Sequence, residues 1–509
     1  MLIVGLVVLG TLHLEGMATP GNGDFIDVPF AVPAGTVEMQ IARTYDTTQS
    51  QILDFGVWQA DASFRGWSGG LTDDIVVGVD QSTRGYLPGA IATGTWTLVI
   101  GKARLAAQGS HYAIDITFRD DATLTVRPKA DYTPVELSAD TRWYRGDFHV
   151  HSTESGDTTT DASPDDDVAL AKMQGLDFIH MSDHNTVSQL ALSAASQPTW
   201  PVLVLRGSEI TTYSGHGNGV GISSYVDHRV GYDNRTMQNI VDDVVAQGGI
   251  FLVNHPADNL GQQCIGCAWG HMDDTPWDEV SGIEVLTSGW DIGVNLFTPT
   301  VLQMWDTLED AGHKLAAVGG SDDHRAGVNE GGTSSDVGSP CVSVLADGLS
   351  EAAILAGVRA RHTIVQLRGC SDAMVTATMK TPTGGVAQIG DEVAGVEDAV
   401  FTVHVTGGDT GIASLWRDGK QIDVHPISGD DVTFTFEDRP GAENHRYRIE
   451  LVEGQSNRRI VITSHFYVDG IAGSSGGCST GGSPTGLLPL LGVLGLLGLK
   501  RRRVDRVAL

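Results

Sequence analysis

Between Asp147 and His324 the chain carries six clusters of the residue types that bind metal ions through oxygen and nitrogen. They are Asp147-Phe148-His149-Val150-His151, Ser182-Asp183-His184-Asn185, Ser208-Glu209-Ile210, Gly215-His216-Gly217-Asn218, Asn254-His255-Pro256 and Gly320-Ser321-Asp322-Asp323-His324. Imidazole and carboxylate donors without thiolates suit zinc, manganese or iron, and residue type does not choose among them. A lone histidine on a strand is more often a packed core residue than a ligand. Six clusters in one region shift that balance to a metal site. Ions held by such donors would lower the pKa of a bound water and stabilise charge on a phosphoryl or carbonyl oxygen. A metal-bound hydroxide is then the nucleophile, and no Gly-x-Ser-x-Gly elbow or P-loop offers another.

Elements that end together must position these residues. Apolar runs at Leu176 to His180, Val202 to Leu205, Ile250 to Val253, Ile283 to Leu286 and Leu315 to Val318 read as parallel strands buried on both faces. Most of the clusters fall at a strand's C-terminal end. Alternation along a strand puts His149 and His151 on one face, and by the same logic Asp322 and His324. The clearest helix runs from Pro164 to Gln174, with Ser163 as N-cap and Gly175 just past its end. Further helices are expected over Thr236 to Gln247 and Thr300 to Asp310. Ligands gathered at the C-terminal ends of strands that alternate with helices point to a barrel with its site on one rim.

The segments GDFHVHSTESGD, LDFIHMSDHNT, GSEITT, GHGNGVG, NHP and GGSDDH, spread between about Arg142 and Arg368, resemble in order the motifs of the PHP family. These are the polymerase and histidinol phosphatase metal-dependent hydrolases. The resemblance implies a distorted (β/α)7 barrel holding two or three divalent metal ions. It places His149, His151, Glu209 and Asp322 around one ion, Glu209, His216 and His255 around a second, and His184, His324 and an acidic residue around a third. HSTESGD offers both Glu154 and Asp157 for that last position, and the Ser-Gly-Asp ending favours Asp157. Asp183 and Asn254, next to ligands, read as groups that orient imidazoles or hold the leaving group. Arg325 reads as a phosphate clamp or as a solvated surface arginine. The order of domains resembles the carbaryl-hydrolase branch, which has an N-terminal β-sandwich.

The flanks differ in kind. Alternating runs at Phe25 to Phe30, Val37 to Ile41, Ile75 to Val79, Trp96 to Ile100 and Ile114 to Phe118 read as an antiparallel sandwich. Phe401 to Val405, Ser414 to Arg417, Val432 to Phe436, Arg446 to Val452 and Ile460 to Tyr467 read as a second. The segment from Phe64 to Gly70 is either a sugar contact or a hairpin with a packed Trp67. The expected organisation is a signal-like segment over 1–19, a sandwich over 20–137, the barrel over 140–371, a second sandwich over 372–469, a Gly/Ser linker over 470–486 and an apolar helix with basic tail over 487–509.

A length of 509 residues accommodates about three cores. A net charge of −31 argues against nucleic acid or anionic lipid as a nonspecific partner, but leaves room for a small phosphorylated substrate held by metals. Met1 to Gly10 is almost wholly apolar, as the core of a signal peptide or a buried N-terminal strand would be. Cys478, the apolar stretch Leu487 to Leu499 and the Lys500-Arg501-Arg502-Arg503 cluster resemble the myxobacterial C-terminal sorting signal. Export is therefore expected, with the membrane as a partner through that tail. Cys264-x-x-Cys267 reads as a small disulfide in an oxidising compartment, and Cys341 and Cys370 as buried thiols or a distant pair.

Three functions fit these features. The first is a phosphoesterase. The second is a carboxylic or carbamic ester hydrolase, for which Trp269, Trp277 and Trp290 offer aromatic walls. The third is a binding protein that keeps metals for stability. Oligomeric state is not legible in the sequence.

Overall fold

The alternating flank residues Phe25 to Phe118 do form paired strands. The computed structural model describes residues 8–158, 162–261, 264–327 and 336–471. Its first eight strands are β1 (Val8–Ala18), β2 (Phe25–Val32), β3 (Glu38–Tyr45), β4 (Ile52–Trp58), β5 (Phe64–Trp67), β6 (Ile75–Gly78), β7 (Gly94–Arg104) and β8 (Ser110–Arg119). They make two four-stranded sheets, ordered β1-β8-β3-β6 and β2-β7-β4-β5. Met39, Ile41, Ile114 and Ile116 of one sheet share a core with Phe55, Trp96, Leu98 and Ile100 of the other, so the pair is a sandwich. Val8 to Gly10, expected in an apolar leader, belong to β1, which pairs antiparallel with β8. Residues 1–7 lie outside the described residues. β5 pairs with β4 and its Trp67 is buried, the packed-hairpin alternative for Phe64 to Gly70.

The middle of the chain supplies β9 (Glu136–Val150), β10 (Phe178–Met181), β11 (Leu203–Leu205), β12 (Gly207–Thr212), β13 (Gly215–Val220), β14 (Ile250–Val253), β15 (Val280–Thr287), β16 (Ala316–Gly320), β17 (Cys341–Ser350) and β18 (Thr363–Gln366). Its helices are α1 (Pro164–Met173), α2 (Gln189–Ser196), α3 (Met237–Ala246), α4 (Trp290–Leu296), α5 (Thr298–Asp310) and α6 (Glu351–Arg359). Ser163 caps α1 in a reciprocal capping box with Asp166, and Thr236 caps α3 in the same way with Asn239. The strands β12 to β16 form one sheet. Glu209 of β12 makes a parallel bridge to His184, just after β10, and Val150 of β9 makes one to Asp323, just after β16.

A regular (β/α)7 barrel is not what these sheets make. β13 runs antiparallel to both β12 and β14, and β12 and β13 are joined by Tyr213 and Ser214 alone, too short a link for the crossover that parallel strands need. Among the described residues no helix separates β14 from β15. The core behind the site contains Phe148, Phe178, Phe251, Ile283, Leu286, Trp305 and Val318. Each such side chain fully buried contributes roughly 1.5–3 kcal/mol.

The last strands are β19 (Met374–Lys380), β20 (Val386–Gln388), β21 (Glu392–Val396), β22 (Ala399–Thr406), β23 (Gly411–Arg417), β24 (Lys420–Pro426), β25 (Asp431–Asp438), β26 (Asn444–Glu453), β27 (Arg459–Thr463) and β28 (Phe466–Gly470). The sheet β20-β19-β22-β25 packs its Phe401, Val403 and Phe436 with Leu415, Ile449 and Val461 from β23, β26 and β27. This second sandwich shares an 11-stranded sheet with the middle of the chain, joined where Ile364, Val365 and Gln366 of β18 pair with β27. Among the described residues no helix is long and apolar enough to cross a membrane. The Gly/Ser linker, Cys478 and the sorting-type tail lie outside the described residues.

Candidate metal centre

β9 ends in His149-Val150, with His151 next in the chain, and its pleat turns Val150 into the core beneath α1 while both imidazoles face the opposite side. The two rings lie 5.0 Å apart. β12 and β13 contribute Glu209 and His216, and the turn after β14 contributes Asn254 and His255. β16 ends at Gly320, so Asp322 and His324 are not on one strand face as alternation predicted. Asp322 instead takes a left-handed φ of 55°, and His255 one of 28°. Such conformations cost on the order of 1–3 kcal/mol for residues with side chains and gather at functional sites.

Glu209, fully buried, stands at the centre. Its carboxylate oxygens lie 3.4 Å from His149 Nε2, 3.6 Å from His151 Nε2, 2.7 Å from His184 Nδ1, 3.3 Å from His216 Nδ1 and 3.2 Å from His255 Nε2. Asp322 Oδ1 lies 3.2 Å from His149 Nε2 and 3.1 Å from His151 Nε2. Asp157 Oδ2 lies 3.4 Å from His184 Nε2 and 3.5 Å from His324 Nε2. Glu154, the other acidic residue of that loop, points away: it pairs with Arg127 at 2.7 Å and accepts a hydrogen bond from Ser188 Oγ.

Five of the six imidazoles are held from behind, and the sixth, His184, turns its Nδ1 toward both Glu209 and Thr211. His149 Nδ1 donates to Glu284 Oε1 at 3.0 Å, His151 Nδ1 meets Ser155 Oγ at 3.0 Å, and His184 Nδ1 meets Thr211 Oγ1 at 2.7 Å. His216 Nε2 donates to the Ile265 carbonyl at 3.1 Å, His255 Nδ1 to that of Cys267 at 3.2 Å, and His324 Nδ1 to that of Asp322 at 2.8 Å. Fixing one ring nitrogen sets the tautomer and aims the other inward, as metal-binding histidines require. The aimed nitrogens are short of partners. His149 Nε2, His151 Nε2 and His216 Nδ1 are buried without a hydrogen bond, and His184 Nε2 faces His324 Nε2 at 3.3 Å. Donor atoms within 4.8 Å of one another group as His149, His151 and Asp322; His149, Glu209 and His255; and His151, His184 and His324. Buried lone pairs converging in this way fit divalent cations.

The charges agree. Burial alone would lower the His149 imidazole, but Asp322, Glu209 and Glu284 raise it well above its ordinary value. Burial likewise opposes protonation of His255 and His324, yet Glu209 and Asp157 respectively lift them to about 9. His151 goes the other way, driven well below by burial and by the crowding of His324 and His184. Burial pushes Asp258 up to about 7.

Asp183 and Asn254 are fully buried and do not line the cavity over the cluster. Asp183 accepts from Ser152 Oγ and Ser155 Oγ, and so holds the loop that positions His151. Asn254 Nδ2 donates to Glu209 Oε1 at 2.9 Å. Both touch residues that position the cluster, and neither faces the cavity. The cavity, about 310 Å³, is bounded by Asp157, His184, Glu209, His216, His255 and Asp322 at its floor, and by Asp258, Phe297 and Arg325 on its sides. Trp269 and Trp277, read as rim aromatics, are buried in the core, and Trp290 Nε1 donates to the Arg459 carbonyl.

Sequence reasoning missed Glu284 and Asp258. Glu284 is an acid inside the apolar run Ile283 to Leu286, which is itself a signal, since a buried carboxylate needs partners. It finds them in His149 Nδ1, the His255 backbone N–H and Thr287 Oγ1. Nothing in the sequence marked Asp258.

No family model matches the chain, and no curated protein does. Among solved structures it is similar to a two-domain protein from Bacteroides vulgatus containing a predicted PHP-like metal-dependent phosphoesterase, with 17% identity, a TM-score of 0.36, and coverage of 67% of this chain and 100% of that one. It is also similar to Bacteroides uniformis β-glucuronidase at 10% identity and a TM-score of 0.18, over 90% of this chain and 61% of the other. Neither superposition is close enough to assign a fold or an activity.

Proposed function

We propose that this chain is a metal-dependent hydrolase, and specifically a phosphoesterase acting on a small phosphomonoester or phosphodiester. The observation that carries the reading is the convergence of buried imidazole nitrogens, His149 Nε2, His151 Nε2 and His216 Nδ1, on Glu209 and Asp322 without a hydrogen bond to either. His149, His151, Glu209 and Asp322 would hold one ion, Glu209, His216 and His255 a second, and Asp157, His184 and His324 a third. When bound, such ions lower the pKa of a water and polarise the bond to be cleaved. Glu284, Ser155 and Thr211 keep the imidazoles oriented, and Asn254 keeps Glu209 in place. Arg325 at the cavity wall would take up charge on a phosphoryl oxygen.

Among the described residues that line the cavity, Phe297 is the aromatic ring and Arg325 the guanidinium. The ester-hydrolase alternative thereby loses the tryptophan wall that favoured it. Export is part of the proposal, and two disulfides, Cys264–Cys267 and Cys341–Cys370, are consistent with an oxidising compartment.

The manganese- or zinc-loaded protein should hydrolyse bis(p-nitrophenyl) phosphate, and His149→Ala should lower the rate at least about a hundredfold. Turnover of p-nitrophenyl acetate alone would replace the phosphoesterase with a carbon-ester hydrolase.

A further inference from the structure

Three of the five ring nitrogens that face away from the cluster are held by Glu284, Ser155 and the Asp322 carbonyl. The other two depend on a single loop. Cys264-Ile265-Gly266-Cys267 is closed by a disulfide, and both of its cysteines line the cavity. The Ile265 carbonyl accepts from His216 Nε2 and the Cys267 carbonyl from His255 Nδ1. Those are the two imidazoles that flank Glu209 Oε1, His216 Nδ1 at 3.3 Å and His255 Nε2 at 3.2 Å. The loop lies flat on the β12–β13 turn. Gly266 has a φ of +79°, and a Cβ there would come within 2.7 Å of the Thr212 carbonyl oxygen. Tight backbone contact on one side and a covalent ring on the other leave the two carbonyls little freedom.

We propose that Cys264 and Cys267 are positioning residues, and that their disulfide sets the affinity of the Glu209, His216 and His255 niche for its ion. The proposal rests on the reading that this cluster binds metals. A small dithiol reaching the cavity would break the S–S bond, giving up two electrons and two protons. Cys264 and Cys267 become thiols and the dithiol closes its own disulfide. The opened loop no longer fixes its carbonyls, the two imidazoles gain rotational freedom, and the niche weakens. Losing an orienting partner of a ligating histidine costs about 10–100-fold in metal affinity.

The test uses the full chain and the Cys264→Ser/Cys267→Ser variant, which leaves the Cys341–Cys370 bridge intact. In the metal-free protein, nitrogen-15 imidazole spectra should show slowly exchanging protons on His216 Nε2 and His255 Nδ1. Both should be lost in the variant and after dithiol treatment, while that of His149 Nδ1 persists. Chelator competition should show one ion weakened about 10–100-fold and the others unchanged. Persistence of both ring protons in the variant overturns the positioning role, whatever the metal content. Failure of the unmodified protein to retain any metal overturns the metal reading and the affinity claim with it, and the ring protons then decide the positioning role alone. The sulfurs and His216 offer donor atoms within 4.8 Å of one another. Tighter cadmium binding on reduction, with thiolate-to-metal absorption, would therefore overturn the clamp in favour of a thiolate site.

Discussion

Glu209 and Asp322 are surrounded by imidazoles and held well below the carboxylate range by them; for both, burial pushes the other way. In the absence of a cation that negative charge favours the protonated forms of the imidazoles facing it, His149, His184, His255 and His324. The sign follows from linkage. An imidazole raised from 6.5 to about 9, as His255 and His324 are, stabilises the metal-free protein fully below pH 6.5 and loses that contribution as pH rises through about 9. With chelator present, the urea midpoint should therefore fall between pH 6.5 and 9. Metal affinity must run oppositely, because an ion entering the site displaces these protons. Chelator competition should report affinity rising over the same interval and levelling above it. A flat affinity profile would mean that the imidazoles are neutral before the ion arrives.

At the scale of elements, the centre depends on how closely β9 and β16 approach. The Asp322 backbone N–H donates to the His149 carbonyl at 2.9 Å, and that of His151 to the Asp323 carbonyl at 3.0 Å. Gly320 permits this, since a Cβ there would stand 2.1 Å from His149 Cβ. Gly320→Ala should destabilise the protein by about 1–3 kcal/mol, displace His149 relative to Asp322, and lower metal content disproportionately. An unchanged melting temperature with full metal loading would contradict this account. Much of this level was legible in the sequence. Ser163-Pro164 marked the start of α1, and the apolar runs at Ile250 and Leu315 became β14 and β16. The ligand types stood out because histidines and acids at the ends of apolar runs have few other uses. Three things were not legible. Strand alternation could not foresee the left-handed turn that brings Asp322 inward, because the turn is stabilised by contacts with β9. The β12–β13 hairpin was not anticipated, because Gly207–Thr212 and Gly215–Val220 are rich in glycine and polar residues and show no apolar run. Trp269, Trp277 and Trp290 were read as rim residues, because sequence proximity to a ligand does not tell whether a loop ring faces cavity or core.

At the scale of the whole molecule, the N-terminal sandwich reaches into the centre. Asp157 is the most exposed of the clustered donors, its side chain 44% accessible, and the loop that carries it has no strand of its own. The sandwich supplies the support. Arg84 donates to the carbonyls of Thr158 at 2.6 Å and Gly156 at 2.9 Å, and Arg127 pairs with Glu154 in the same loop. Tyr213, between β12 and β13, donates to Asp54 of β4 at 2.9 Å. A guanidinium that satisfies several carbonyls replaces hydrogen bonds the loop cannot make to itself, and charged donors of this kind contribute roughly 1.5–3 kcal/mol each when their partners have no substitute. Arg84→Ala should therefore free the Asp157 loop without disturbing the strands that carry His149, His151, Glu209 and Asp322. The expected result is that the ion held by Asp157, His184 and His324 weakens by about tenfold or more, with the remaining ions retained. Equal weakening of every ion, or of none, would separate the sandwich from the centre and leave Arg84 as a packing residue.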